Sequence, residues 1–196
     1  SSGYWGAQLA EISPGDSVAV IGAGPVGMCA MQSARLFGAG KVIALDLSQK
    51  RLDYAMAQGL CDDVILCGEG SVEQQIRSLT QGRGADAVIE CAGNADSFQT
   101  AWQIARPNAV VAIVAMYEQP QTLPLQRMYG KNLIFKTGGV DATQCSRLMR
   151  LIETGKLSTG FLISHRAPLN DILEGYRVFE KKLDNCIKWV VTPYER

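Results

Sequence analysis

Ser17-Val18-Ala19-Val20-Ile21-Gly22-Ala23-Gly24-Pro25-Val26-Gly27 runs from a β-branched stretch straight into a three-glycine loop. A strand that feeds Gly-x-Gly-x-x-Gly and then opens a helix marks a dinucleotide-binding βα turn, and the flanking elements carry that reading more than the glycines do. Gly22 permits the tight turn, Gly24 lets the backbone approach a pyrophosphate, and Gly27 lets helix and strand pack closely. The helix expected over Val26 to Phe37 places Val26, Ala30 and Ala34 on one face. Its N-terminus, with Pro25 and Val26 beside the loop, offers free amides and partial positive charge to a phosphate without any lysine. The plain alternative is a tight turn with no ligand.

Outward from this turn, apolar runs alternate with helical patterns, the signature of a parallel sheet wound with crossover helices. Pro14-Gly15-Asp16 turns into the strand Ser17 to Ile21, and Gly38 and Gly40 end the first crossover helix. Strands are expected at Lys41 to Asp46, Asp63 to Leu66, Ala85 to Glu90 and Ala109 to Val114. Helices are expected at Gln49 to Gln58, Val72 to Leu79 and Ser97 to Ile104. Past Pro120 and Pro124 the rhythm loosens, with a strand over Asn132 to Lys136 and a helix over Thr143 to Thr154. A helix over Leu169 to Phe179 and a closing strand over Cys186 to Val191 complete the pattern. The expected fold is α/β, a doubly wound parallel sheet (Rossmann fold) in a single domain, residues 1–196. Tyr4, Trp5 and Leu9 give the opening Ser1 to Glu11 an apolar helix face, as if cut from a larger, two-domain enzyme.

Composition narrows the function. With 196 residues, 47% of them hydrophobic, the chain can bury a full core. Nineteen basic residues balance nineteen acidic ones, so no charge excess argues for nucleic acid or an anionic membrane. Apolar runs such as Ala109 to Met116 are strand-sized, and no signal-peptide pattern opens the chain, which points to a soluble, cytoplasmic protein. The six cysteines lie scattered through apolar segments with no CxxC pair and only His165 as an imidazole partner, so they read as reduced core residues rather than metal ligands.

The remaining site candidates follow from the carboxyl edge of the sheet, where ligands bind in such folds. Asp46 ends the second strand 19 residues after Gly27, near the roughly 20-residue spacing at which an acid meets the adenosine ribose. Its charge would repel a 2′-phosphate and favours NAD(H) over NADP(H). Arg51 either covers the adenine or ribose edge or is a solvated helix residue. Cys91 and Ala92 after the fourth strand, and Val114 and Met116 after the fifth, lie on the nicotinamide side. Glu90 reads as a hydrogen-bonded structural acid or as part of the site. Gly139 and Val140 offer backbone near a ligand or form a plain turn. His165, without a second acid beside it, reads as structural.

These residues also occur in a recognisable order. Ser2-Gly3-Tyr4, Gly6-Ala7, Pro14-Gly15, GAGPVG, VIALD, Arg51-Leu52, TQGRGAD (80–86) and IECAG (89–93) together resemble the zinc-type medium-chain alcohol dehydrogenases, and the similarity continues to Pro193. The resemblance implies a GroES-like catalytic domain preceding this region and carrying the zinc ligands and proton relay, so no catalytic or metal residue is assigned here. It further implies that Ser2, Gly24, Pro25, Val26, Asp46, Arg51, Ala92, Val114 and Lys188 contact NAD(H), with Lys188 at the pyrophosphate. Zinc would belong to the parent enzyme and the substrate would be an alcohol or carbonyl compound. A homodimer through edge strands near Leu123 to Lys136 is implied in the same way. Three competing readings remain. They are a zinc-free quinone oxidoreductase using NAD(P)H, a methyltransferase holding S-adenosylmethionine, and a non-catalytic dinucleotide-binding or dimerisation module.

Overall fold

In the computed structural model, which describes residues 1–141, 143–181 and 183–193, the chain opens with helix α1 (Ser2–Leu9) and then alternates strand and helix. The succession is β1 (Ser17–Ile21), α2 (Pro25–Leu36), β2 (Lys41–Asp46), α3 (Gln49–Ala57), β3 (Asp63–Leu66), α4 (Val72–Leu79), β4 (Ala85–Glu90), α5 (Ala95–Ile104) and β5 (Ala105–Ile113). The short helix α6 (Leu125–Met128) leads to β6 (Ile134–Thr137), and α7 (Cys145–Glu153), β7 (His165–Pro168), α8 (Ile172–Glu180) and β8 (Trp189–Thr192) follow.

Six strands form one parallel sheet in the order β3-β2-β1-β4-β5-β6. The order reverses between β1 and β4, which opens a crevice at the carboxyl ends of those two strands. Both faces are buried, as a sheet covered by crossover helices requires. Val18, Val20, Val42 and Ala44 pack toward α2 and α3, while Ala19, Ile21, Ile43 and Leu45 pack toward α4 and α5. Alternate residues of each central strand thus serve different cores, which is why those strands are uninterrupted apolar runs.

The ends depart from the sequence expectation. Strand β5 begins at Ala105 rather than Ala109, through Arg106, Pro107 and a left-handed Asn108. A long-range tie holds this polar lead-in. Arg106 Nε donates to Asp86 Oδ1 at 2.6 Å, and the other carboxylate oxygen accepts from the amide of Ser17 at 2.8 Å. Burial pushes the Asp86 carboxyl up, but the Ser17 amide, Arg106 and Arg83 outweigh it and hold its pKa below the usual carboxylate range.

The closing strand is Trp189–Thr192 rather than Cys186 to Val191. It does not join the main sheet but pairs in parallel with β7, a strand that the polar, proline-ended HRAP does not announce. The expected helix over Leu169 to Phe179 divides into a 3-10 turn over Leu169–Asp171 and α8. Helix α1, by contrast, finds a partner within the chain. Gly3 touches the backbone of α2 at Val26 and Ala30, and Tyr4 packs on Phe37 with ring centroids 5.1 Å apart.

Helix α5 runs into β5 with no intervening turn, leaving its last carbonyls without a glycine cap. Lys131 supplies the donors. Its Nζ reaches the carbonyls of Trp102, Gln103 and Ala105 at 3.0, 2.6 and 2.9 Å. Lys131→Met keeps the stem and removes the charge, so it is expected to lower the unfolding free energy by roughly 1–3 kcal/mol. Urea denaturation reads this directly, and an unchanged midpoint would show that these carbonyls do not depend on the ammonium.

Candidate functional site

The glycine turn sits at the carboxyl end of β1. Gly22 has φ +95°, its amide donates to Leu45 O at 2.7 Å, and a methyl there would press the Cys91–Ala92 peptide at 3.1 Å. Conformation and crowding both call for glycine. Gly24 caps α2 in an extended conformation, and a methyl on it would meet, among the described residues, only the Arg51 guanidinium at 3.8 Å. That open side is where a ligand can approach the backbone. Pro25 holds the first helical position, where a missing N–H costs nothing. The first-turn donors left are therefore the amides of Val26 and Gly27. Gly27 lies against Gly22 so closely that a methyl would overlap the Gly22 carbonyl oxygen.

Asp46 ties the turn to β2. Its Oδ2 accepts from the amide of Ala23 at 2.6 Å and its Oδ1 from the amide of Ser48 at 2.8 Å. Each oxygen still has a lone pair to give. The Ala23 amide is consumed by this bond, which concentrates the anion-binding capacity on Gly24, Val26 and Gly27.

A groove of about 430 Å³ opens at this rim. Gly22, Gly24, Asp46, Arg51, Cys91 and Ala92, six of the residues expected from sequence, line it together. Pro25, Val26 and Gly27 follow Gly24 in the first turn of α2 without lining the groove. Val114 turns to the α1 side, where its Cγ2 crowds Gly6, and Met116 is 93% exposed. A methyl on neighbouring Gly138 would meet the Trp5 ring at 3.6 Å, whereas Gly139 and Val140 are outside the groove wall. Ser2 opens α1 and Lys188 precedes β8, near Cys29 and the N-terminus, and neither reaches the groove.

Several wall residues escaped sequence reasoning. Ser48 is one of them, the N-cap of α3, whereas Asn94 closes the Glu90 to Asn94 stretch expected at the nicotinamide side, caps α5 and forms a reciprocal capping box with Ser97. A cap placed immediately after a strand was the available signal. Asp96 and Thr100 on α5 follow from the same placement. Asn185 and Cys186 arrive from the far end of the chain through two successive left-handed residues, Asp184 and Asn185, and nothing local announces them.

Glu90, fully buried at the end of β4, proves to be a scaffold for the rim. Its Oε1 accepts from the amides of Ala92 and Gly93 at 2.7 and 2.9 Å, and its own carbonyl accepts from Val114 and Ala115 at 2.9 and 3.2 Å. Beside it, burial, reinforced by Glu90 and Cys29, holds the Cys91 thiol far above its usual pKa, so Cys91 is no thiolate nucleophile. His165 stacks on Trp189 at 5.3 Å and meets Ser164 Oγ at 2.9 Å, an arrangement that joins β7 to β8. Among the described residues, no three His, Cys, Asp or Glu side chains are grouped to hold a metal ion, and no helix is long and apolar enough to cross a membrane.

Known proteins match this architecture. The chain is 33% identical, over 99% of its length, to an alcohol dehydrogenase of Cupriavidus necator, of which it covers 54%. It is 34% identical, over 97% of its length, to an NADP-dependent isopropanol dehydrogenase of Thermoanaerobacter brockii, of which it covers 56%. Among solved structures, the alcohol dehydrogenase of Thermus sp. ATN1 superposes with a TM-score of 0.91 at 31% identity, over 98% of this chain and 56% of that one. The chain therefore spans about half the length of the curated relatives it matches. Residues 25–154, from the first turn of α2 through α7, match the family described as zinc-binding dehydrogenases, and the chain belongs to that family.

Proposed function

We propose that this chain holds NAD(H) for an alcohol dehydrogenase-type reaction, in which a hydride passes between an alcohol or polyol and the nicotinamide. The observation that carries the reading is the pairing of Gly24, open on one side, with Asp46, fixed by two amides at the same rim. The first-turn amides of α2 suit a diphosphate, and the free lone pairs of Asp46 suit the two ribose hydroxyls. When bound, the nicotinamide ring supplies the hydride acceptor or donor. The chain's own part is to fix the dinucleotide along the rim, with Ala92 and Val114 at the nicotinamide end and Arg51 over the adenosine end. Zinc ligation is not assigned to these residues.

Fluorescence titration of this chain with NADH tests the reading. Saturable binding of NADH, with no uptake of S-adenosylmethionine, is expected, and no alcohol-dependent NADH formation. Uptake of S-adenosylmethionine in place of NADH would replace the reading with a methyltransferase one.

The same proposal includes a homodimer. Strand β6 is a sheet edge with unpaired backbone groups, and Ile134, Leu125 and Tyr129 beside it are exposed, Tyr129 at 96%. Such an edge favours pairing with a second copy. Ile134→Lys is expected to shift the chain from dimer to monomer in sedimentation velocity. A wild-type chain that is monomeric at micromolar concentration would remove the dimer from the proposal. Six free cysteines, two of them buried, support a reducing, cytoplasmic setting.

A further inference from the structure

Two loops form the crest of the sheet beyond β4 and β5, and one buried residue holds both. Four backbone amides, those of Ala92 and Gly93 from the first loop and Val114 and Ala115 from the second, converge on Glu90. The loops also touch, since a methyl on Gly93 would lie 2.8 Å from Met116 O. The carboxylate has one oxygen left over. Glu90 Oε2 is buried without a hydrogen-bond partner among the described residues, and so is the hydroxyl of Tyr117, three residues beyond Val114. One is an acceptor and the other a donor, and a buried polar group left alone is costly. The Tyr117 ring is aimed by an edge-on contact with Phe98, with centroids 5.9 Å apart at 83°. Glu90 alternates with Val88 on the face of β4 against which Tyr117 packs, and burial first, then Glu90, push the Tyr117 phenol above its ordinary pKa, with the Ser97 hydroxyl opposing.

We infer that Glu90 and Tyr117 act as a positioning pair, locking the loop of Ala92 to the loop of Val114 so that together they form a rigid seat for the nicotinamide end of the cofactor. The inference rests on the dinucleotide reading above and deepens it. Neither side chain touches the cofactor. The carboxylate fixes the first loop through Oε1, and a hydrogen bond from the Tyr117 hydroxyl to Oε2 would add a side-chain link to the one that the Glu90 carbonyl makes to Val114 and Ala115. The adenosine end, held by Asp46 and the glycine turn, lies outside this linkage.

Calorimetric titration of the unsubstituted chain and Tyr117→Phe with NADH and with ADP-ribose, which lacks the nicotinamide, separates the possibilities. Phenylalanine keeps the ring and deletes one hydroxyl, so the melting temperature should hold. The NADH dissociation constant should rise roughly 3- to 10-fold, the equivalent of one hydrogen bond, and that of ADP-ribose should stay within about 1.5-fold. Glu90→Gln retains the carbonyl that accepts from Ala92 and Gly93 and turns an NH2 toward the phenol. It should keep NADH affinity within about 2-fold, rescuing the linkage without the charge. Equal weakening of both ligands by Tyr117→Phe, or no change in either, overturns the pair while leaving the dinucleotide reading standing. If the unsubstituted chain takes up neither ligand, the dinucleotide reading falls, and the pair with it.

Discussion

Asp46→Ala is expected to raise the NADH dissociation constant at least about 100-fold. Two ribose hydroxyls donating to one carboxylate are charge-assisted hydrogen bonds worth roughly 1.5–3 kcal/mol each, and about 1.4 kcal/mol is a factor of ten. The same substitution frees the amides of Ala23 and Ser48, which Asp46 now holds at 2.6 and 2.8 Å. A modest loss of stability, about 1 kcal/mol, should accompany it. The stronger consequence is for cofactor choice. With the charge removed, a 2′-phosphate no longer meets repulsion and finds the Arg51 guanidinium beside Gly24. NADPH should therefore gain affinity as NADH loses it. If wild type already prefers NADPH, Arg51 and not Asp46 governs the adenosine end.

Gly27→Ala and Gly24→Ala should fail in opposite ways. A methyl on Gly27 has no space, because the Gly22 carbonyl occupies its position and Val20 lies 3.6 Å away. Helix α2 would have to lift from β1, and overpacking of this kind costs roughly 1–3 kcal/mol or more. At about 2–4 °C per kcal/mol for a domain of this size, melting should fall by several degrees, with cofactor affinity lost as the turn distorts. A methyl on Gly24 meets nothing closer than Arg51 at 3.8 Å. Stability should be nearly unchanged, while the methyl fills the approach to the backbone amides and NADH binding falls at least 10-fold, about 1.4 kcal/mol. Equal melting temperatures for the two variants would contradict the packing role given to Gly27.

The contrast between these two glycines also shows why so much of the site was readable in advance. Strands β1, β2 and β4 are apolar runs that end at or just before a glycine or an acid, so their boundaries follow from residue chemistry alone. The rim residues Gly22, Gly24, Asp46, Arg51, Cys91 and Ala92 sit one or a few residues from those boundaries, and the sheet brings them together. Local pattern fails where tertiary contacts set the conformation. The start of β5 depends on Arg106 reaching Asp86, and β7 exists because Trp189 and its neighbours pair with it. Asn185 and Cys186 enter the groove from the opposite end of the chain, a proximity that spacing along the sequence does not encode. Glu90 was legible as a buried acid, but its task became definite only with the four amides that surround it.

In the proposed complex, main-chain amides at the start of α2 take the diphosphate, and the Asp46 carboxylate takes the adenosine ribose. Amide-resolved NMR titration with ADP-ribose tests it most directly. The largest shifts should fall on Gly24, Val26, Gly27 and Ser48, saturate together, and vanish in Asp46→Ala at the same ligand concentration. Saturating shifts confined to other surfaces, such as the basic depression around Arg147, Arg150 and Lys156, or no shifts at the glycine turn, would contradict it.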